Sequence, residues 1–191
     1  MGGFSFMNTN TRKSEIKTIA YLAILIALEI VLSRFCSINT AGLKIGFSFV
    51  PIVVTASLFG PVHAAIVAAA ADFLGAVLFP IGPYHPGFTI CAAIMGFTYG
   101  IFLHRSDNAL IKWERIRFFP NVIVPALINS IVFGLLINTA WVAMLYGSKT
   151  YGGWFLYRLP EYAILIPVNC LLTPVILKMC AKLKKLHAIT V

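Results

Sequence analysis

Residues 17–35 read KTIAYLAILIALEIVLSRF, and between Lys17 and Arg34 the only charged side chain is Glu29. At a rise of 1.5 Å per residue, these 19 residues make a helix of about 28 Å. That matches the hydrocarbon thickness of a bilayer, about 30 Å. The stretch therefore reads as a membrane-spanning helix.

Five more apolar stretches follow: Ile45 to Gly60, Val62 to Phe79, Phe88 to His104, Pro120 to Tyr146 and Arg158 to Lys182. The second helix is short for a span. Gly60-Pro61 is a tight break between the second and third. The loops are Cys36 to Lys44, Pro80 to Gly87, Arg105 to Phe119 and Gly147 to Tyr157. The expected fold is an all-α membrane protein of six transmembrane helices. One domain spans 17–182, with tails at 1–16 and 183–191. Composition agrees: 60% of residues are apolar, 11% are charged, and mean hydropathy is +0.91. A soluble domain carries about 25% charged residues.

The net charge of +9 raises nucleic acid as a partner. The basic residues, however, cluster at the ends of apolar runs instead of forming one stripe, so no nucleic acid is expected. Residues 1–16 lack the short apolar core of a signal peptide, so the first run is expected to remain as a spanning helix. With the N-terminus inside, eleven Lys and Arg fall on the inner side and four on the outer. The positive-inside rule then puts both termini in the cytoplasm. The outer four are Arg34, Lys44, Lys149 and Arg158. Cys36, Cys91, Cys170 and Cys180 form no C-x-x-C pair and read as small apolar fillers.

In lipid, small residues mark close helix contacts. Gly96-x-x-x-Gly100 is such a motif. So is the first-helix stripe Ala20, Ala23 and Ala27, which lies opposite Glu29 on the helical wheel. A membrane carboxylate faces the protein interior. With Glu29 inward, the alanines face outward, as a docking surface for another membrane protein would.

Ionisable groups at membrane depth are Glu29, Asp72 and Glu161, with Arg34 and Arg158 at outer helix ends. Arg158, Glu161, Tyr162 and Asn169 share one helical face, and Asn138 and Trp141 lie in the outer half of the fifth helix. Two readings stand for Arg158 and Glu161: an i,i+3 ion pair or part of a pocket. For Asp72 and Glu29 the bland reading is a helix–helix hydrogen bond. The outer loops add Tyr84, His85, Phe88, Tyr151, Trp154, Phe155 and Tyr157. A rigid Pro-x-Gly-Pro-x-x-Pro-Gly frame surrounds Tyr84 and His85, as in a shaped lid. Cations, carboxylates, amides and flat aromatic faces together suit a flat, polar, anionic organic molecule.

No G-x-S-x-G, H-E-x-x-H or phosphate-binding glycine loop occurs. A binding subunit that borrows energy from a partner is expected, with no enzymatic activity, metal or cofactor.

Certain segments carry a family resemblance. They are Leu32-Ser-Arg-Phe35, Leu43-Lys-Ile-Gly-Phe47 running into Pro51, and Leu58-Phe-Gly-Pro61. Others are Ala71-Asp-Phe-Leu-Gly75, Leu78-Phe-Pro-Ile-Gly-Pro-Tyr-His-Pro-Gly-Phe-Thr89, and Arg158-Leu-Pro160 with Pro167. With them the chain resembles the substrate-binding S component of energy-coupling factor (ECF) vitamin transporters, and more narrowly the folate-specific branch. The resemblance implies a six-helix S-component bundle and an A-x-x-x-A docking motif, here Ala23 and Ala27. It also implies a transmembrane coupling subunit, two ATPase subunits, and rotation in the membrane to release substrate inside. Folate offers a pterin, a p-aminobenzoyl ring and two carboxylates. On that reading Glu161 or Asp72 accepts the pterin N–H pair, and Arg34 and Arg158 neutralise carboxylates or polar ring atoms. Tyr84, His85, Phe88, Trp141 and Trp154 stack or cover, and the loop Ser37 to Lys44, with Asn39, closes the top. Asn138 and Tyr162 complete the expected site. Riboflavin and thiamine are the alternative substrates.

Overall fold

A computed structural model describes residues 9–40, 43–104 and 118–185. The charged segment around Lys112, Trp113, Arg115 and Arg117 lies outside the described residues. The helices are α1 (Thr9–Arg34), α2 (Phe49–Phe59), α3 (Pro61–Leu78) and α4 (Pro86–Leu103). Next come α5 (Phe118–Leu127), a π-helical segment (Ile128–Ile137), α6 (Asn138–Tyr146) and α7 (Tyr151–Lys185). Between α1 and α2 stand two short antiparallel strands, β1 (Ile38–Thr40) and β2 (Leu43–Ile45), with Asn39 opposite Lys44.

Five stretches among the described residues are long and apolar enough to cross a bilayer: 15–34, 61–78, 86–103, 121–146 and 151–182. They correspond to five of the six expected spans. The remaining expected span, the second, contains α2, an apolar helix of 11 residues and about 16 Å, shorter than the others; the expected membrane-helix fold stands. α2 sits in the core, where Val53, Ala56, Leu58 and Phe59 are buried and the Thr55 and Ser57 hydroxyls bond back to the Pro51 and Val54 carbonyls. Gly60, at φ 89°, makes the break after it, and Pro61 opens α3.

Two other boundaries differ from the sequence expectation. The stretch Cys36 to Lys44 contains the strand pair. The aromatic stretch before Arg158 is largely helical, because Gly147 ends α6 in the left-handed conformation and Thr150 starts α7 by accepting from Trp154 N at 3.0 Å. α7 then runs through Pro160, Pro167 and Pro174, which recur every seven residues and so fall on one side.

The α3–α4 contact follows from the small-residue motif. A side chain at Gly96 would collide with the Ala64 carbonyl, and one at Gly100 with the backbone of Pro61. The two helices approach backbone to backbone, as membrane helices with small interfacial residues do. Large apolar side chains such as Ile24, Ile66, Ile101 and Leu171 cover the outside of the bundle. Cys91 and Cys180 are buried fillers as expected, whereas Cys36 is exposed.

Candidate substrate-binding site

The ends of α1, α3 and α6, the starts of α2, α4 and α7, and the strand pair meet at one end of the bundle. Beneath them lies a cavity of about 340 Å³, within the range of small-molecule pockets. Nine expected residues line it: Arg34, Lys44, Asp72, Tyr84, Phe88, Asn138, Arg158, Glu161 and Tyr162.

Arg158 and Glu161 form a buried knot, 6% and 3% exposed. Arg158 Nε donates to Glu161 Oε2 at 3.2 Å, Nη1 to Thr139 Oγ1 at 3.1 Å and Nη2 to Tyr162 OH at 2.9 Å. Glu161 Oε1 accepts from the backbone N of Lys44 at 3.0 Å. Both Glu161 oxygens are thus engaged by protein, and the strand pair is tied to α7 through this carboxylate. A Cβ at Gly134 would come within 2.5 Å of the Tyr162 ring, so this glycine makes room for the tyrosine. The ion-pair and pocket readings of Arg158 and Glu161 therefore hold together.

Asp72 Oδ2 accepts from Thr89 Oγ1 at 2.7 Å, and Thr89 also meets Tyr84 OH at 2.9 Å. The α3–α4 loop is so anchored to α3. Lys44 Nζ donates to Ser33 Oγ at 2.6 Å. Burial pushes the Lys44 ammonium below its ordinary pKa, an effect that Glu29, Asp72 and Glu161 partly offset and Arg34 reinforces. Arg34 lies across Gly75, where a Cβ would stand 2.9 Å from its Nε. That Nε is buried and has no hydrogen-bond partner among the described residues.

Three expected residues take other places. His85 and Trp141 stack on each other at 4.7 Å instead of lining the cavity. His85 Nδ1 accepts from Gly87 N at 3.0 Å and so caps α4. Trp154 is buried against Tyr146 and Tyr157, with the Lys149 ammonium 5.2 Å from its ring centre. The backbone of Asn39 pairs with Lys44 in the strand ladder, and its side chain lies outside the described ones.

Sequence reasoning left out several lining residues: Glu29, Tyr99, Asn129, Ser130 and Asn169 among them. The available signal for Glu29 was its charge at membrane depth, and for Asn169 the face it shares with Arg158. Asn129 and Ser130 sit in the π-helical segment, a distortion frequent at functional sites.

A helical bundle with a polar, charged cavity under one end defines a membrane protein that binds a small polar molecule. The chain belongs to the S components of ECF-type transporters: the family model of the ECF-type riboflavin transporter, S component, matches residues 13–179. It is 35% identical over 157 residues to the folate transporter FolT of Clostridium novyi (strain NT), covering 82% of this chain and 86% of that protein. It is 28% identical over 134 residues to the folate transporter FolT of Leuconostoc mesenteroides subsp. mesenteroides, covering 70% and 68%. A crystal structure of FolT bound with folic acid superposes with a TM-score of 0.70 at 32% identity, covering 82% of this chain and 89% of the other. The S-component for biotin from an ECF-type ABC transporter shares the fold, with a TM-score of 0.63 at 20% identity over 94% and 95%.

Proposed function

We propose that this chain captures folate from outside the cell and delivers it inward as the S component of an ATP-driven uptake transporter. The single observation that carries this reading is the polarity of the cavity along its depth. Arg34 and Lys44 lie at the strand-pair end, while Asn129 and Asn169, both buried, lie far down their helices at the other end. Cations at the mouth suit a dicarboxylate. Glu29, deeper than Arg34, and the neutral amides at the floor suit an uncharged ring rich in hydrogen-bonding groups. Folate has these two ends in one molecule, and two relatives are folate transporters.

The description of the matching family model favours a second reading, riboflavin. Riboflavin is flat but has no carboxylate to pair with the mouth cations. Both termini are placed in the cytoplasm, which turns the cavity outward. The energy comes from two ATPase subunits through a coupling subunit, which docks on α1 through the exposed face of Ala20, Ala23 and Ala27.

Arg34→Ala tests the assigned orientation. It is expected to weaken folate binding by roughly 2–5 kcal/mol, as loss of a buried carboxylate partner does, while leaving pteroate, which lacks the glutamate, nearly unaffected. Isothermal titration of the detergent-purified protein with both ligands reads the difference. Equal losses would contradict the placement of the glutamate at Arg34.

A further inference from the structure

Glu29 is 6% exposed, lines the cavity, and stands five residues before Arg34, about 7–8 Å deeper along α1. Its Oε2 is fully buried and has no hydrogen-bond partner among the described residues. The other two carboxylates of the cavity already hold protein donors, Glu161 on both oxygens and Asp72 on one. Glu161 uses both oxygens on Lys44 N and Arg158, and Asp72 uses Oδ2 on Thr89. The nearby Lys44 ammonium gives one of its three donors to Ser33 Oγ and none to Glu29 Oε2. A buried carboxylate oxygen without a donor is costly in protein and more so at membrane depth. Glu29 Oε2 thus lacks a donor among the described residues, and faces a cavity from which a ligand can supply one.

Resting on the folate reading above, the geometry points to Glu29 as the acceptor of the paired N–H donors of the substrate's 2-amino-4-oxopyrimidine edge. That edge carries the 2-amino group beside N3–H, two donors spaced for the two oxygens of one carboxylate. The isoalloxazine of riboflavin offers instead a single N–H between two carbonyls, whose oxygens would face the carboxylate. Glu29 therefore selects for the aminopyrimidine as well as binding it.

Glu29→Gln provides the test, read as dissociation constants for folate and for its 4-amino analogue. In that analogue N3 carries a lone pair and no proton. Glutamine offers one acceptor and one donor, so it clashes with the N3–H of folate but matches 2-amino beside a bare ring nitrogen. Folate affinity is expected to fall roughly tenfold or more, with a smaller loss for the 4-amino analogue, so that the preference between them shifts. Equal losses, or no loss, would overturn the assignment. Were the variant not to fold, absorbance titration of folate bound to the unaltered protein decides. With Glu29 as acceptor, the pterin N3–H ionises at higher pH than in free folate; ionisation at lower pH overturns it. Failure of the folate reading itself shows differently, as an unaltered protein that binds no folate.

Discussion

Arg158→Ala is expected to destabilise the detergent-solubilised protein by about 3–5 kcal/mol, the cost of breaking a buried ion pair by removing one partner. Arg158 engages Glu161, Thr139 and Tyr162 at once, and Thr139 is fully buried. Its loss leaves the Glu161 carboxylate buried opposite an empty space. It also loosens the contact through which Glu161 holds Lys44 and the strand pair. Folate affinity should fall with stability, because one wall of the cavity and its cover move together. Arg158→Lys keeps the charge but not the fork of donors, and should fall between the two. The check is the unfolding midpoint followed with and without folate. An unchanged midpoint for Arg158→Ala would mean that the knot does not hold the site.

The second large effect concerns transport and spares binding. Ala20, Ala23 and Ala27 are exposed on α1, and Glu29 is buried on its other side. Ala23→Trp and Ala27→Trp place a bulky ring where a close helix approach needs a methyl group. Uptake of labelled folate by cells making the complete transporter is expected to drop to background. Folate binding by the purified chain should stay within about twofold of the unaltered protein, since neither alanine lines the cavity. Loss of binding along with uptake would place the stripe inside the bundle's own packing.

Much of this arrangement is legible in the chain itself. Long apolar runs mark five spans, Gly60-Pro61 marks the α2–α3 break, and the opposition of Glu29 to the alanine stripe orients α1. What the sequence hides has physical causes. A 3.6-residue period assumes α-helix throughout, and ten π-helical residues shift the faces around Asn129 and Ser130. The α7 start is masked because Gly152-Gly153 and aromatics read as loop, although Thr150 serves as the cap. Tyr84, His85, Trp141 and Trp154 look alike in sequence, as amphipathic aromatics near one membrane face. Only their contacts separate the lining Tyr84 from the His85–Trp141 stack and the buried Trp154. Glu29 was visible as a membrane carboxylate. Its role depends on which carboxylates the protein has already satisfied, and that depends on tertiary contacts between residues as distant as Lys44 and Glu161.

The most direct measurement is an equilibrium titration of the purified chain, without partners, with folate, riboflavin and thiamine in parallel. Saturable folate binding tighter than micromolar, with riboflavin and thiamine far weaker, is the predicted result. Folate binding weaker than micromolar, or a clear preference for riboflavin, would contradict the account.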